Sequence, residues 1–452
     1  LRNMKQTSTL VALAVVLMAN SALAQFITRA DFFQPTGLTN EGLVPGYAEQ
    51  AGPYLIWNPD LASTEDIGGL APGNGIGGQA RSSYDGDLLS GTSQGSNGIE
   101  LSRYDRTSGE WTALGSLGIQ IDETYSGGFS ISGDGNTVVG LSWGDTTGGL
   151  PAHAHAVAYN QEEGLLDLGT LFPGRSTRAN AASEDGSVVV GWQDFNGPWK
   201  SAVWRKDLTG GYFPNVYLLV DDTGDPNDEF NQLGECSTVS ANGEWIGGYG
   251  DFANNNEPWI WNAVSGVINL GHLPLTGRGF VADMSSDASI VVGWFDGEFF
   301  GDPQTPFIWT ATDGLRNLND YIINELGINT GTSQIYSANC ISSNGRYIAG
   351  YGVDNNTFSG FAYRVDLDAS NGLGDLSAMR GIGAYPNPTM DLLSVPVAGP
   401  AELSITAADG RTVHRSMVNG DLSLDLSTFS PGVYSLSLRA EGSIRTQRII
   451  KN

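Results

Sequence analysis

Polar, turn-forming residues followed by a short β-rich run and a glycine recur along this chain. Clear copies are SGDGNTVVG at 132–140, SEDGSVVVG at 183–191, SANGEWIGG at 240–248, SSDASIVVG at 285–293 and SSNGRYIAG at 342–350. Weaker copies are SYDGDLLSG at 83–91 and TNEGLVPG at 39–46. Beyond each glycine, apolar and polar residues alternate up to an aromatic, as in Lys200-Ser201-Ala202-Val203-Trp204. Alternation with period two is the mark of a half-buried strand, and DG or NG turns accept the positive φ that tight hairpins require. A leucine-bearing run follows in most copies, for example LLDLGTL at 165–171 and VINLGHL at 267–273. Each repeat therefore predicts about four strands: one before the turn, one ending at the glycine, one ending at the aromatic and one carrying the leucines.

The closing glycines are Gly46, Gly91, Gly140, Gly191, Gly248, Gly293 and Gly350, at intervals of 45, 49, 51, 57, 45 and 57 residues. Four strands at that period describe a propeller, not a solenoid. The aromatics Trp57, Tyr104, Tyr159, Trp204, Trp261, Trp309 and Tyr363 hold one place in the repeat. A large ring in a fixed place fills the space between neighbouring sheets. The glycine marks a bulge or a close backbone approach.

These repeats resemble the HAF family of extracellular repeats, through the string His155-Ala156-Val157-Ala158-Tyr159. Elsewhere Lys200, Glu257, Thr305 and Ser359 stand at the histidine position. The resemblance covers roughly 35–366 and implies a surface or secreted repeat protein. It implies no particular chemistry.

The chain's ends read differently. Lys5, the apolar run Leu10–Ala19 and the small residues Ala22 and Ala24 make a secretory signal with cleavage before Gln25. Ten apolar residues are too few to span a membrane, so no transmembrane segment is expected after the signal is removed. From 383 the pattern becomes a compact alternating array with turns at Asp409-Gly410 and Pro431-Gly432. It predicts a small β-sandwich with Leu403, Ile405, Val413, Leu424, Leu426, Val433, Leu436, Leu438 and Ile449 inside. Tyr385-Pro386-Asn387-Pro388, Asp409-Gly410-Arg411, Leu426, Pro431-Gly432-Val433-Tyr434 and the basic end through Lys451 resemble the type A C-terminal sorting domain of the type IX (Por) secretion system. That resemblance implies a Bacteroidetes-type bacterium, Sec export, and then passage to the outside or to the cell surface by the type IX machinery.

The expected architecture is all-β: signal peptide 1–24, a seven-bladed β-propeller over 25–366, a linker 367–382 and a sorting β-sandwich over 383–452. Either Phe26–Phe33 or Leu373–Ala378 would supply the missing strand of the last repeat.

Composition sharpens this picture. Glycine accounts for 62 of 452 residues, which suits many turns between short strands. The formal net charge is −27. Residues 376–452 hold seven basic and six acidic side chains, so the acid excess lies in the repeats. Nucleic acid is excluded as a partner, since no basic patch offsets that charge. Cys236 and Cys340 fall in different repeats and are expected as buried single thiols.

Candidate chemistry is sparse. Asp221, Asp222, Asp225, Asn227 and Asp228 crowd oxygen ligands of the kind calcium takes, yet Pro226 interrupts any EF-hand spacing, and a solvated acidic loop is the competing reading. His153 and His155 alternate as zinc ligands can, without an evident third ligand. GNGIGG at 73–78 lacks the helix and lysine of a phosphate loop, and no nucleophile elbow occurs. No catalytic or cofactor-binding residue is assigned, and no cofactor is expected unless it is calcium. The expected function is a binding or adhesion module for a glycan or a protein. The alternatives are a hydrolase or lyase with an acidic site at the channel mouth, and a calcium-linked structural surface component.

Overall fold

The structure is a computed structural model. It describes residues 25–368 except 74, 76, 122, 146–151, 196–198 and 251–256, then 384 and 389–452 except 398, 408–410 and 441–442. Seven antiparallel sheets follow one another between Phe26 and Asp366, one per repeat. Their first strands line a common central cavity, through Gln34, Phe129, Arg178, Ser237 and Val281 among others. The sheets thus radiate from one axis, as in a β-propeller.

Seven apolar clusters fill the gaps between them, each joining two neighbours. Leu168 of the third sheet packs with Val189 and Trp204 of the fourth. Val203 of the fourth packs with Ile246 and Trp259 of the fifth. The seventh and first sheets share Tyr347, Ala362, Val44 and Trp57, so the ring closes. The repeat aromatics do the packing expected of them: Trp204 is fully buried and its indole N–H donates to Leu168 O at 2.9 Å.

The polar turns have a second role. In SEDG, the Ser183 hydroxyl donates to Asp185 and accepts from Val188 N, while Asp185 accepts from Ser187 N. Ser132, Ser240, Ser285 and Ser342 repeat this pattern. From the second repeat onward the turns also hydrogen-bond in series: Tyr84 N donates to Gly133 O, Asp134 N to Glu184 O, Glu184 N to Ala241 O, Ala241 N to Ser286 O and Ser286 N to Ser343 O. Asn344 N extends this collar to Asn40 of the first repeat.

The closing glycines sit inside their strands instead of ending them; Gly140 lies within Val138–Asp145. The first strand of the sheet bulges opposite, with register breaks at Val139/Gly140, Ala179/Ala181 and Val281/Asp283. A Cβ on Gly140, Gly191 or Gly293 would overlap a carbonyl of that strand. Bulge and close approach are one feature, and only glycine fits it.

Two repeats have fewer than four strands, and the last sheet counts five because its first strand is split into Ser333–Ile335 and Cys340–Ile341. In the second, Gln79–Ser83 runs beside Leu88–Gln94 with a single bridge, Ser82 to Leu89. The Ser90 hydroxyl adds to the backbone bonds Ser90 N to Arg81 O and Ser83 N to Leu88 O there, donating to Gln79 O and accepting from Arg81 N. In the fourth, the segment 206–234 crosses the outer edge with isolated bridges such as Val203 to Val216.

Strand Phe26–Arg29 pairs with Gly360–Asp366 and supplies the outer edge of the last sheet. Asp366 N also donates to Gln25 O at 2.8 Å. The local alternative, Leu373–Ala378, lies outside the described residues.

Beyond the repeats, a two-stranded sheet and a four-stranded sheet enclose one core of Leu393, Leu403, Ile405, Leu424, Leu426, Leu436, Leu438 and Ile449. Val413 packs at its margin. Val433 is a correction: it is 46% exposed, because its neighbour Tyr434 takes the inward position and successive strand residues face opposite ways.

Candidate functional site

The cavity on the axis has a volume of about 330 Å³. Its wall comes from the first strands and the residues beside them, with Tyr47, Tyr249 and Trp294 added from second strands. Position along the repeat explains which residues reach it. Arg178, Glu235 and Phe280 each lie 13 residues before a closing glycine, beneath the bulge. The scaffold is constant there, and the side chain differs from repeat to repeat.

Arg178, Asn180, Glu235 and Tyr249 form one network. The Arg178 guanidinium donates to Asn180 Oδ1 at 2.7 Å and to Glu235 Oε1 at 3.0 Å. Asn180 Nδ2 donates to the same Glu235 oxygen at 2.7 Å and to Cys236 O at 2.8 Å. The Tyr249 hydroxyl donates to Glu235 Oε2 at 2.7 Å. Burial and the adjacent Glu235 charge hold the Tyr249 hydroxyl well above its ordinary pKa, so it remains a donor. Both oxygens of Glu235 are engaged, and its side chain is only 6% exposed.

Aromatic rings surround this network. Phe280 lies edge-on to Tyr249 at 4.6 Å and stacks with Trp294 at 5.6 Å. Arg178 sits over Phe129 at 4.6 Å and over Trp192 at 5.3 Å. Trp192 in turn stacks on Trp199 at 4.5 Å with a 5° interplanar angle, and Trp199 is 48% exposed. Tyr47 adds a further ring to the cavity wall.

At the floor, Arg81 Nη1 lies 3.5 Å from Asp283 Oδ2 on the opposite side of the channel. Below them a smaller space of about 80 Å³ runs towards the turn collar. Asp283 also accepts from Thr238 Oγ1 at 3.1 Å, Met284 N at 3.0 Å and Ile341 N at 3.2 Å. Burial pushes its carboxyl pKa up, against the opposing pull of Arg81.

The acidic loop singled out in the sequence lies at the edge of the fourth sheet. Asp221 caps Thr223, Asp225 caps Asn227 and Asp228 caps Phe230 N. The Asn231 amide fills the loop's interior, donating to Asp221 O and Asp225 O. Gln232 donates to Pro226 O. Asp222 has no such role in the loop. Among the described residues no group of three or more His, Cys, Asp or Glu side chains converges as a metal site would. His155 pairs with Asp167 at 2.9 Å. At the equivalent place in the fourth repeat Lys200 is buried, and its ammonium donates to Glu229 O at 2.6 Å. Both cysteines are free and buried, with burial pushing their thiol pKa values up.

Of the sorting residues, Gly432 pairs with Lys451 across adjacent strands. The Tyr434 hydroxyl donates to Ser430 O at 2.7 Å, and Lys451 Nζ lies 3.4 Å from Asp391. Thr389 and the terminal strand exchange backbone bonds, Thr389 N to Ile450 O and Asn452 N to Thr389 O. Tyr385-Pro386-Asn387-Pro388 and Asp409-Gly410 lie outside the described residues, as do Ala22 and Ala24.

Residues 383–452 match the family described as the secretion system C-terminal sorting domain. This domain directs the chain through the type IX secretion system to the cell surface or the extracellular space. No curated protein matches the chain. Among solved structures it is similar to the β-propeller domain of the Trilobed protease from Pyrococcus furiosus, at 12% identity and TM-score 0.44, covering 75% of this chain and 96% of that one. It is also similar to a puromycin-hydrolyzing peptidase from Mycobacterium tuberculosis, at 12% identity and TM-score 0.46, covering 83% and 60%. TolB from Acinetobacter baumannii matches at 12% identity and TM-score 0.30, covering 81% and 83%. At these identities and scores the likenesses assign no activity to this chain.

Proposed function

We propose that this chain is a secreted or surface-held glycan-binding module, with the central cavity of a seven-bladed HAF-type propeller as its site. In this account residues 1–24 are removed by signal cleavage, 367–382 link the two domains, and the source is a Bacteroidetes-type bacterium. The observation that carries the proposal is the group of rings at the cavity: Tyr47, Phe129, Tyr249, Phe280 and Trp294. Sugar rings present apolar C–H faces to aromatic planes and hydroxyls to amides, and Gln34, Gln79 and Asn339 stand on the same wall.

The hydrolase or lyase alternative draws less support. Acid–base cleavage of a glycoside uses two carboxyl groups flanking the bond. Here Glu235 is the one carboxylate on the described wall of the main cavity, and both its oxygens are taken.

The test is a glycan array and polysaccharide pull-down with the full-length protein, alongside Trp294→Ala and Phe280→Ala. Retention without released product, lost in both variants, is the expected result. Released oligosaccharides would favour the enzyme. Absence of retention on every glycan would favour a protein ligand and sink the proposal.

A further inference from the structure

We infer that the cavity takes a sugar bearing a single carboxylate, and that Arg81 at the cavity floor is the group that holds it. The inference rests on the glycan-binding proposal and adds the chemical class of the ligand.

Arg81 is under-committed compared with the arginines Arg364, Arg346 and Arg178. Arg364 grips Asp60 with two nitrogens and also donates to Gly42 O. Arg346 forms a two-pronged pair with Asp366 at 2.9 and 2.7 Å. Arg178 has Asn180 and Glu235. Nε of Arg81 has no hydrogen-bond partner, as is also true of Arg364, but among the described residues the rest of the Arg81 guanidinium has only the 3.5 Å approach to Asp283. An arginine side chain that is only 20% exposed and carries one loose contact is costly, because N–H donors that leave water need equivalent acceptors.

The missing acceptor is a carboxylate. A guanidinium offers two parallel N–H donors at the spacing of carboxylate oxygens. Asp283 does not fill that role in full, since Thr238, Met284 and Ile341 already donate to its two oxygens and one acceptor site is left on Oδ2. Those three donors would also hold Asp283 in place when Arg81 turns to a ligand. Arg81 borders both the main cavity and the smaller space below it, so its charge sits where the end of a ligand would come to rest.

Charge balance limits the ligand to one such group. The other cation at the main cavity, Arg178, is held by Glu235 at 3.0 Å, whereas Arg81 stands 3.5 Å from an Asp283 whose carboxyl pKa burial raises, so Arg81 is the cation less fully offset. The whole chain carries −27, which opposes the approach of an extended polyanion. A terminal acidic sugar escapes most of that repulsion, because its charge is paired inside the cavity while the neutral part meets the rings.

The experiment probes the full-length protein with an array of glucuronate-, galacturonate-, mannuronate- and sialate-terminated oligosaccharides, each beside its carboxyl-reduced counterpart. At least one acidic member is expected to bind about tenfold or more tighter than its reduced partner. Arg81→Gln should bring the two to the same affinity, and Arg81→Lys should recover only part of the difference. Trp294→Ala should weaken both members alike. Equal binding of every pair to the wild-type protein would overturn the acidic-sugar inference and leave the glycan proposal standing. Silence on every pair, with binding to neutral glycans elsewhere, would overturn it too. Silence on all glycans would remove both. The wild-type comparison decides the matter even if an Arg81 variant fails to fold.

Discussion

A buried ion pair between the first and last sheets adds to the apolar contacts that close the ring. Asp60 follows the third strand of the first sheet, and Arg364 lies in the last, 304 residues away. The Arg364 side chain is 1% exposed and meets Asp60 at 3.0 and 2.5 Å. It also donates to Gly42 O at 3.0 Å and lies 4.8 Å from the Tyr347 ring centroid. Asp60→Ala leaves this guanidinium buried without its counter-ion. Breaking such a pair from one side costs about 3–5 kcal/mol. Because Asp60 is 20% exposed and Gly42 O remains, the low end applies, about 3 kcal/mol. Unfolding entropy near 60 °C is about 2.1 cal/mol/K per residue. Over the roughly 340 residues from Phe26 to Asp366 that gives about 0.7 kcal/mol/K, so the melting temperature should fall by about 4 °C. Differential scanning calorimetry of the full-length protein measures it. Arg364→Met removes the charge itself, and the double variant should cost no more than Arg364→Met alone. If Asp60→Ala melts within about 1 °C of the wild type, the pair is not a lock and the reasoning fails.

Three further outcomes follow from the same structure. Gly191→Ala would drive a Cβ into Arg178 O beneath the bulge and should cost about 1–3 kcal/mol, read as a lower denaturant midpoint; an unchanged midpoint would contradict the close approach. Ser83 holds the Asp85 carboxyl below its ordinary pKa, and Ser187 and Ser183 outweigh burial to do the same for Asp185. A depressed folded pKa stabilises above the unfolded value near 3.8 and stops doing so as pH falls through the folded value. Stability should therefore drop below about pH 4, and Asp85→Asn/Asp185→Asn should flatten that drop, since Asn242 and Asn344 already serve the same turn; equal acid slopes by circular dichroism would refute this. Calcium titration by calorimetry should give no saturable heat, because the Asn231 and Gln232 amides occupy the inward carbonyls of the 221–231 loop; a saturable signal abolished by Asp225→Ala would show the opposite.

Much of the fold is local and so was legible in one dimension. A Ser-x-Asp/Asn-Gly turn closes its own hydrogen bonds within six residues, as Ser132, Asp134 and Thr137 do. Alternation announces a strand wherever one face is buried, and the repeat period counts the sheets. The sorting domain was legible for the same reason, with its motifs in fixed order along a short segment matched as a family. What failed were properties that depend on neighbours. Val433 has the composition of a core residue, but the register of its strand gives the inward place to Tyr434. The closing glycines lie inside strands because the bulge opposite them belongs to another segment.

The cavity was invisible for a deeper reason. Arg178 and Glu235 are 57 residues apart, and Arg81 and Asp283 come from the second and sixth repeats. No motif joins them; the propeller axis does, by carrying one position from every repeat to the same place. Sequence alone determined the repeating sheet, its turns and the export address, since each is written in residues close together along the chain. Tertiary structure alone decided which end strand completes the last sheet and which side chains meet at the centre, since both depend on the ring returning to its start.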